Sequence, residues 1–266
     1  MDEAGTSAHE PVTVVVAIVA NADEHVMTAE AAVLEALGAV PKQFRDNFVF
    51  HAMQVFGEQG YQDGGWSLTD RLHLLRTMMS IPGRLGMGIV VSAMWRGAID
   101  FSDIYGGLGL SPEKSDHIHA FSMCVSVADR GIRNHAHPRE VGTIIAEDVP
   151  EMRKFLKLVP RVIRASPINL PQSMMRTTVT DDEKGFIAQS GDFRVTRIRN
   201  SVHFVEKADD PLVQVADACA YGLRRFFAQQ KFGVEFAEAI LGDTSALRNF
   251  KSPGGVEGYW PNSKPS

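Results

Sequence analysis

The chain has 266 residues, 44% of them hydrophobic and 22% charged, with a formal net charge of −5. This supplies enough apolar material for one large domain, or one domain with an insertion, and excludes long disordered spans. The acidic balance excludes a general nucleic-acid coat protein but allows a nuclease whose basic residues are local.

No apolar run reaches about 18 residues and no charged, apolar leader opens the chain, so a cytoplasmic protein without membrane spans is expected. Cys124 and Cys219 sit in apolar patterns without metal-ligand spacing and read as reduced core thiols.

In chain order, the acidic pair Asp2-Glu3 precedes a β-branched run at 12–19, which reads as a strand. Successive strand side chains alternate faces, so at most one of Asp2 and Glu3 is expected to be a ligand. A helix is predicted over 22–37, and a short strand ending near His51 within 44–56. A helix over 68–79 is expected to stop before Pro82-Gly83. A buried strand at 87–94, a long helix at 115–133 and a strand at 141–146 follow. Glu147 and Asp148 thus stand at a strand's carboxyl end, where ligands bind in open α/β sheets. Gly106-Gly107-Leu108-Gly109 lacks the features of a phosphate loop, so nucleotide binding there is not expected.

A helix over 149–164 carries Arg153, Lys157, Arg161 and Arg164 at steps of four, four and three, with Met152, Phe155, Leu156, Val159 and Ile163 opposite. Pro160 should kink it. Its basic ridge is either a solvated face or a nucleic-acid-binding surface leading away from Glu147 and Asp148. Arg197 and Arg199 share one face of a predicted strand, with Arg194 on the other. His117-Ile118-His119 lies in a helix, where i and i+2 do not share a face. His135 and His137 could converge only if extended, and no third ligand follows at a telling spacing.

The most informative stretch is 201–225. A strand over 202–205 is followed by Asp210 and Pro211 as N-cap and first helical residue of a helix to about Gln229. Gln214, Asp217 and Tyr221 share one face, among Val213, Val215, Ala216, Ala218, Cys219 and Ala220. An unpartnered carboxylate there would cost several kcal/mol or shift its pKa, and a metal ion or a basic partner such as an arginine is the remedy. A terminal helix over 234–241 and a Gly-, Pro- and Ser-rich surface arm over 251–266 complete the order. Strands alternating with helices predict an α/β fold with a largely parallel central sheet, residues 1–250 forming a single domain.

The Asp-Glu-Ala-Gly opening, Phe50-His51-Ala52, the mid-chain strand-end acid and the Gln-x-Ala-Asp helix together resemble the domain of unknown function 3800 family. The resemblance runs from Asp2 to about Arg225. It implies a ribonuclease H-like α/β fold, a mixed central sheet flanked by helices with helical insertions. It also implies a site whose catalytic set is Asp2, Glu3, His51, Glu147 and Asp217. Asp2, Glu147 and Asp217 would hold Mg²⁺ or Mn²⁺ as a two-ion centre, with Asp148 and Gln214 nearby. The chain departs from the family at Glu206-Lys207-Ala208, where Asp-Ser-Lys is usual, and only Met1 precedes its acidic pair.

The function expected is divalent-metal-dependent phosphodiester hydrolysis of a nucleic acid. Two alternatives stay open: a non-catalytic nucleic-acid- or protein-binding module of the same fold, and a metal hydrolase of small phosphorylated molecules. The carboxyl groups of Asp217, Glu147 and one of Asp2 or Glu3 are expected within roughly 8 Å of one another, since each must reach a shared ion. Asp217→Asn is expected to keep the fold and, by relieving repulsion, to raise the melting temperature of the metal-free protein.

Overall fold

In the computed structural model, Val12, Val14 and Val16 point to one side of a strand, Val15 and Ala17 to the other, and all five are at most 3% exposed. A strand buried on both faces needs a helical layer on each. Residues 1–100, 109–165 and 195–260 are described. They form β1 (Asp2–Ala4), β2 (Val12–Val19), α1 (Ala22–Leu37), α2 (Ala52–Gly57), α3 (Gln59–Asp63), α4 (Leu68–Arg84), β3 (Gly88–Trp95), α5 (Pro112–His135), β4 (Gly142–Glu147), α6 (Pro150–Leu156), α7 (Val159–Ala165), β5 (Ile198–Val205), α8 (Pro211–Phe227), α9 (Gly233–Leu241) and β6 (Gly254–Tyr259). Short 3₁₀ turns lie at Lys42–Phe44 and Ala246–Asn249.

One face of β2 and β3 packs against α4 and α8 through Leu75, Met78 and Ala218, and α1 and α9 cover those helices with Val33 and Phe236. The opposite face packs against α5 through Phe121 and Cys124, and α6 and α7 extend the same core with Leu156 and Ile163. Both cysteines are buried free thiols whose pKa is pushed up by burial. Among the described residues no helix is long and apolar enough to cross a membrane.

The sheet corrects the largely parallel expectation. β1, β2, β3 and β6 lie side by side in that order and every neighbouring pair is antiparallel, while β4 and β5 form a parallel pair. Met1 joins the two groups: its amino group donates to the Ile145 carbonyl at 2.7 Å, and its carbonyl accepts from Glu147 N–H at 3.3 Å. That is the bonding pattern of a parallel ladder centred on Met1 and Ala146, so the chain entering β1 runs alongside β4. The fold is a mixed α/β arrangement. Helices between strands do not by themselves require parallel crossovers, because α1 to α4 return the chain antiparallel to β2.

Four element predictions need correction. No strand forms within 44–56; an extended His51 is instead the N-cap of α2. α4 runs through Pro82 to Arg84, since a proline near a helix's end removes few of its bonds. The ridge helix is split into α6 and α7, and Pro160 sits in the first turn of α7, where a missing N–H is tolerated. The tail is not an arm over its described part, because Gly254–Tyr259 pairs with β3 as β6. Gly106, Gly107, Leu108, Arg194 and residues 261–266 lie outside the described residues.

Candidate metal centre

Three chain segments meet where β1, β4 and β5 lie side by side. Asp2 is the first residue of β1 and Glu147 the last of β4. Lys207 lies in the turn leaving β5, closed by the Asp209 N–H donating to the Glu206 carbonyl at 3.0 Å. Asp210 caps α8, its Oδ1 accepting from Leu212 and Val213 N–H at 2.9 and 3.2 Å. The cap fixes where α8 starts, and so which face carries Gln214 and Asp217. Gln214 Nε2 donates to the Lys207 carbonyl at 2.8 Å, tying the turn to the helix.

The Lys207 ammonium lies among the three predicted ligands. Its Nζ is 3.2 Å from Asp2 Oδ2, 3.0 Å from Glu147 Oε2 and 3.0 Å from Asp217 Oδ1. It also lies 3.4 Å from His51 Nδ1. Asp217 Oδ2 accepts the Ala52 N–H at 2.7 Å, and His51 Nδ1 stands 3.9 Å from the same oxygen. The His51 side chain, 38% exposed, forms the rim of the cluster.

Burial decides the charge states. Asp2 is 1% exposed, and neither of its carboxylate oxygens accepts a hydrogen bond from the protein. Burial, then the Asp217 charge, push its pKa well up against the pull of Lys207, so Asp2 favours the protonated form. In that form it is a potential donor facing Glu147. For Glu147, burial acts upward most strongly, but the Asp2 hydrogen bond and the Lys207 charge together outweigh it and lower its pKa. Lys207 is also pulled down by burial, yet Asp2, Asp217 and Glu147 more than offset this and hold it protonated.

Glu3 lies close to Asp2 and Glu147 although strand alternation sends its Cβ to the other face from that of Asp2. Its Oε2 lies 3.5 Å from His117 Nε2 on α5, and one oxygen each from Asp2, Glu3 and Glu147 lie within 4.8 Å of one another. Alternation sets the Cβ direction, but a glutamate is long enough to bring its oxygens back to the strand edge.

The remaining predicted residues are elsewhere or act indirectly. Asp148 turns away to a bidentate pair with Arg153, through Nε at 2.9 Å and through Nη2. Arg164 donates to the Ile198 carbonyl and Arg197 to that of Pro138, so neither is a free ridge cation. Lys157 lies 6.0 Å over the Phe204 ring and Arg161 is exposed. Lys114, Arg153, Lys154 and Lys157 line an open cleft of about 730 Å³ between the starts of α5 and α6. His135 stacks on Trp260 with centroids 5.1 Å apart, while His137 Nδ1 accepts the Arg139 N–H at 3.3 Å, so that pair does not converge.

Sequence reasoning missed Lys207 as a member of the site and treated it as a displaced basic residue. The available signal was a lysine two residues beyond a strand and seven before a glutamine on the acid's own helix face. The basic partner of Asp217 is therefore this lysine and not an arginine.

The convergent oxygens of Asp2, Glu3 and Glu147 suit a hard divalent cation, and Asp217 stands outside that group, joined to it through Lys207. No family model matches the chain, and neither a curated protein nor a solved structure matches it.

Proposed function

We propose that the chain is a divalent-metal-dependent phosphodiester hydrolase, a nuclease with a ribonuclease H-like arrangement of acids on a mixed sheet. One observation carries this reading: acids from three distant segments, Asp2 and Asp217 buried and Glu147 partly exposed, gather around a single ammonium. A buried ion pair is often no better for stability than apolar residues of the same size, so three acids about one lysine are poorly explained by folding alone.

Asp2, Glu147 and Asp217 would hold Mg²⁺ or Mn²⁺. When bound, such ions supply Lewis-acid polarisation of a phosphoryl oxygen and a bound water of lowered pKa. The chain's own residues do the rest. Lys207 is the counter-charge of Glu147 and Asp217 in the metal-free protein and would turn to a substrate phosphate once an ion took its place. His51, at the exposed rim, is the group able to exchange a proton with a substrate oxygen. Lys114, Lys154, Lys157 and Arg161 offer cations for a nucleic-acid backbone approaching along the α5–α6 cleft.

The test is cleavage of labelled single- and double-stranded DNA and RNA with Mg²⁺ or Mn²⁺, wild type against Glu147→Gln. Metal-dependent cleavage absent from the variant supports the proposal, whereas no cleavage by wild type under any of these conditions overturns it. The position of Lys207 favours a second reading, a non-catalytic binding module in which the ammonium permanently replaces the ion. That reading requires oligonucleotide binding that is indifferent to chelator.

A further inference from the structure

His117 is 2% exposed on α5, and its Nε2 makes no hydrogen bond with the protein. A buried ring nitrogen without a partner is costly. The acid beside it on the helix, Asp116, is paired with Arg96 and does not serve it. What Nε2 faces is Glu3 Oε2 at 3.5 Å, and Glu3 belongs to the compact group with Asp2 and Glu147. A nitrogen donor is thereby aimed at the Glu3 member of a carboxylate cluster, whose Asp2 and Glu147 members contact Lys207.

We infer that Glu3 and His117 form a nitrogen-bearing wall of the metal centre, beside Asp2 and Glu147, and that they make it selective for a first-row transition ion, Mn²⁺ in preference to Mg²⁺. The inference rests on the metal-site reading above. Carboxylate oxygens accept Mg²⁺ and Mn²⁺ alike, whereas a neutral imidazole adds affinity for Mn²⁺ and later ions of the row and little for Mg²⁺. His51 does not fill this role, because it lies on the Asp217 side at the solvent-exposed rim.

The experiment is an electron paramagnetic resonance titration of the whole chain with Mn²⁺ and with Mn²⁺ in competition with Mg²⁺, followed by spin-echo measurement of nitrogen-14 modulation. Wild type, His117→Gln, His51→Gln and Glu3→Gln are compared, each checked by circular dichroism. The expected result is nitrogen modulation in wild type and His51→Gln that is lost in His117→Gln. Mn²⁺ affinity in His117→Gln and Glu3→Gln should fall about tenfold or more, with Mg²⁺ affinity nearly unchanged in His117→Gln. If His117→Gln is unfolded, the His51→Gln and Glu3→Gln results decide. Tight Mn²⁺ binding without nitrogen modulation, or modulation lost only in His51→Gln, overturns the inference and leaves the metal site standing. No Mn²⁺ binding by wild type overturns both.

Discussion

Lys207 Nζ stands 3.0 Å from Asp217 Oδ1, and the same nitrogen contacts Asp2 and Glu147. One ammonium bridges three acids, of which Asp2 and Asp217 are buried and Glu147 is partly exposed, so the metal-free fold depends on it. Lys207→Ala should destabilise the metal-free protein by about 3 kcal/mol, or roughly 6–12 °C in Tm. Millimolar Mn²⁺ should restore most of the loss by binding only the folded state. Calorimetry with and without Mn²⁺ checks both parts, and an unchanged metal-free Tm would show that Lys207 is not the counter-ion.

Asp217→Asn is expected to lower stability, contrary to what relief of repulsion alone predicts. Asp217 accepts from the Ala52 N–H through one oxygen and from Lys207 through the other. An asparagine can serve one of these donors but must turn its NH₂ towards the second, at a cost of about 1–3 kcal/mol. Denaturant unfolding measures it. A variant more stable than wild type without metal would restore the repulsion account.

The pKa of Asp2 is raised above its ordinary value of 3.8, chiefly by burial. A raised folded-state pKa gives stability that is complete below 3.8 and lost as pH climbs through the folded value. Asp2→Asn mimics the neutral form, so its stability relative to wild type should rise with pH from about 4 towards neutrality. Glu147 acts in the opposite sense, losing its contribution as pH falls below its ordinary 4.5 through its lowered value. Paired pH titrations of unfolding separate the two. A difference between Asp2→Asn and wild type that is flat across that range would refute the assignment of the proton to Asp2.

The basic residues fall into two groups. Arg153 and Arg164 are engaged by Asp148 and by the Ile198 carbonyl. Lys157→Glu with Arg161→Glu should therefore weaken oligonucleotide binding more than Arg164→Gln does. The dependence of log affinity on log salt should flatten by roughly one unit per lost phosphate contact. Fluorescence anisotropy at several salt concentrations reads this, and equal effects from all sites would mean that the α6–α7 surface is not the contact face.

Local rules made much of the chain legible. The β-branched run of β2, the amphipathic pattern of α1 and the Asp210-Pro211 start of α8 are decided by neighbours in sequence, and each forms. The buried acid of α8 was visible because its helix neighbours are apolar. By contrast, Phe44 to Phe56 looks like a strand in composition, yet its aromatics pack in a cluster with Tyr61 and Trp66 that a local pattern cannot foresee.

By itself the sequence determined which residues had to be buried and which acids could not be buried alone, because hydrophobic periodicity and desolvation are local properties of side chains. Tertiary structure alone decided what answers those acids. Strand direction, the Met1 ladder to β4 and the turn after β5 bring Lys207 to Asp2, Glu147 and Asp217. They also bring His117 to Glu3, more than a hundred residues away along the chain. Such pairings depend on long-range chain return, which neither periodicity nor spacing encodes.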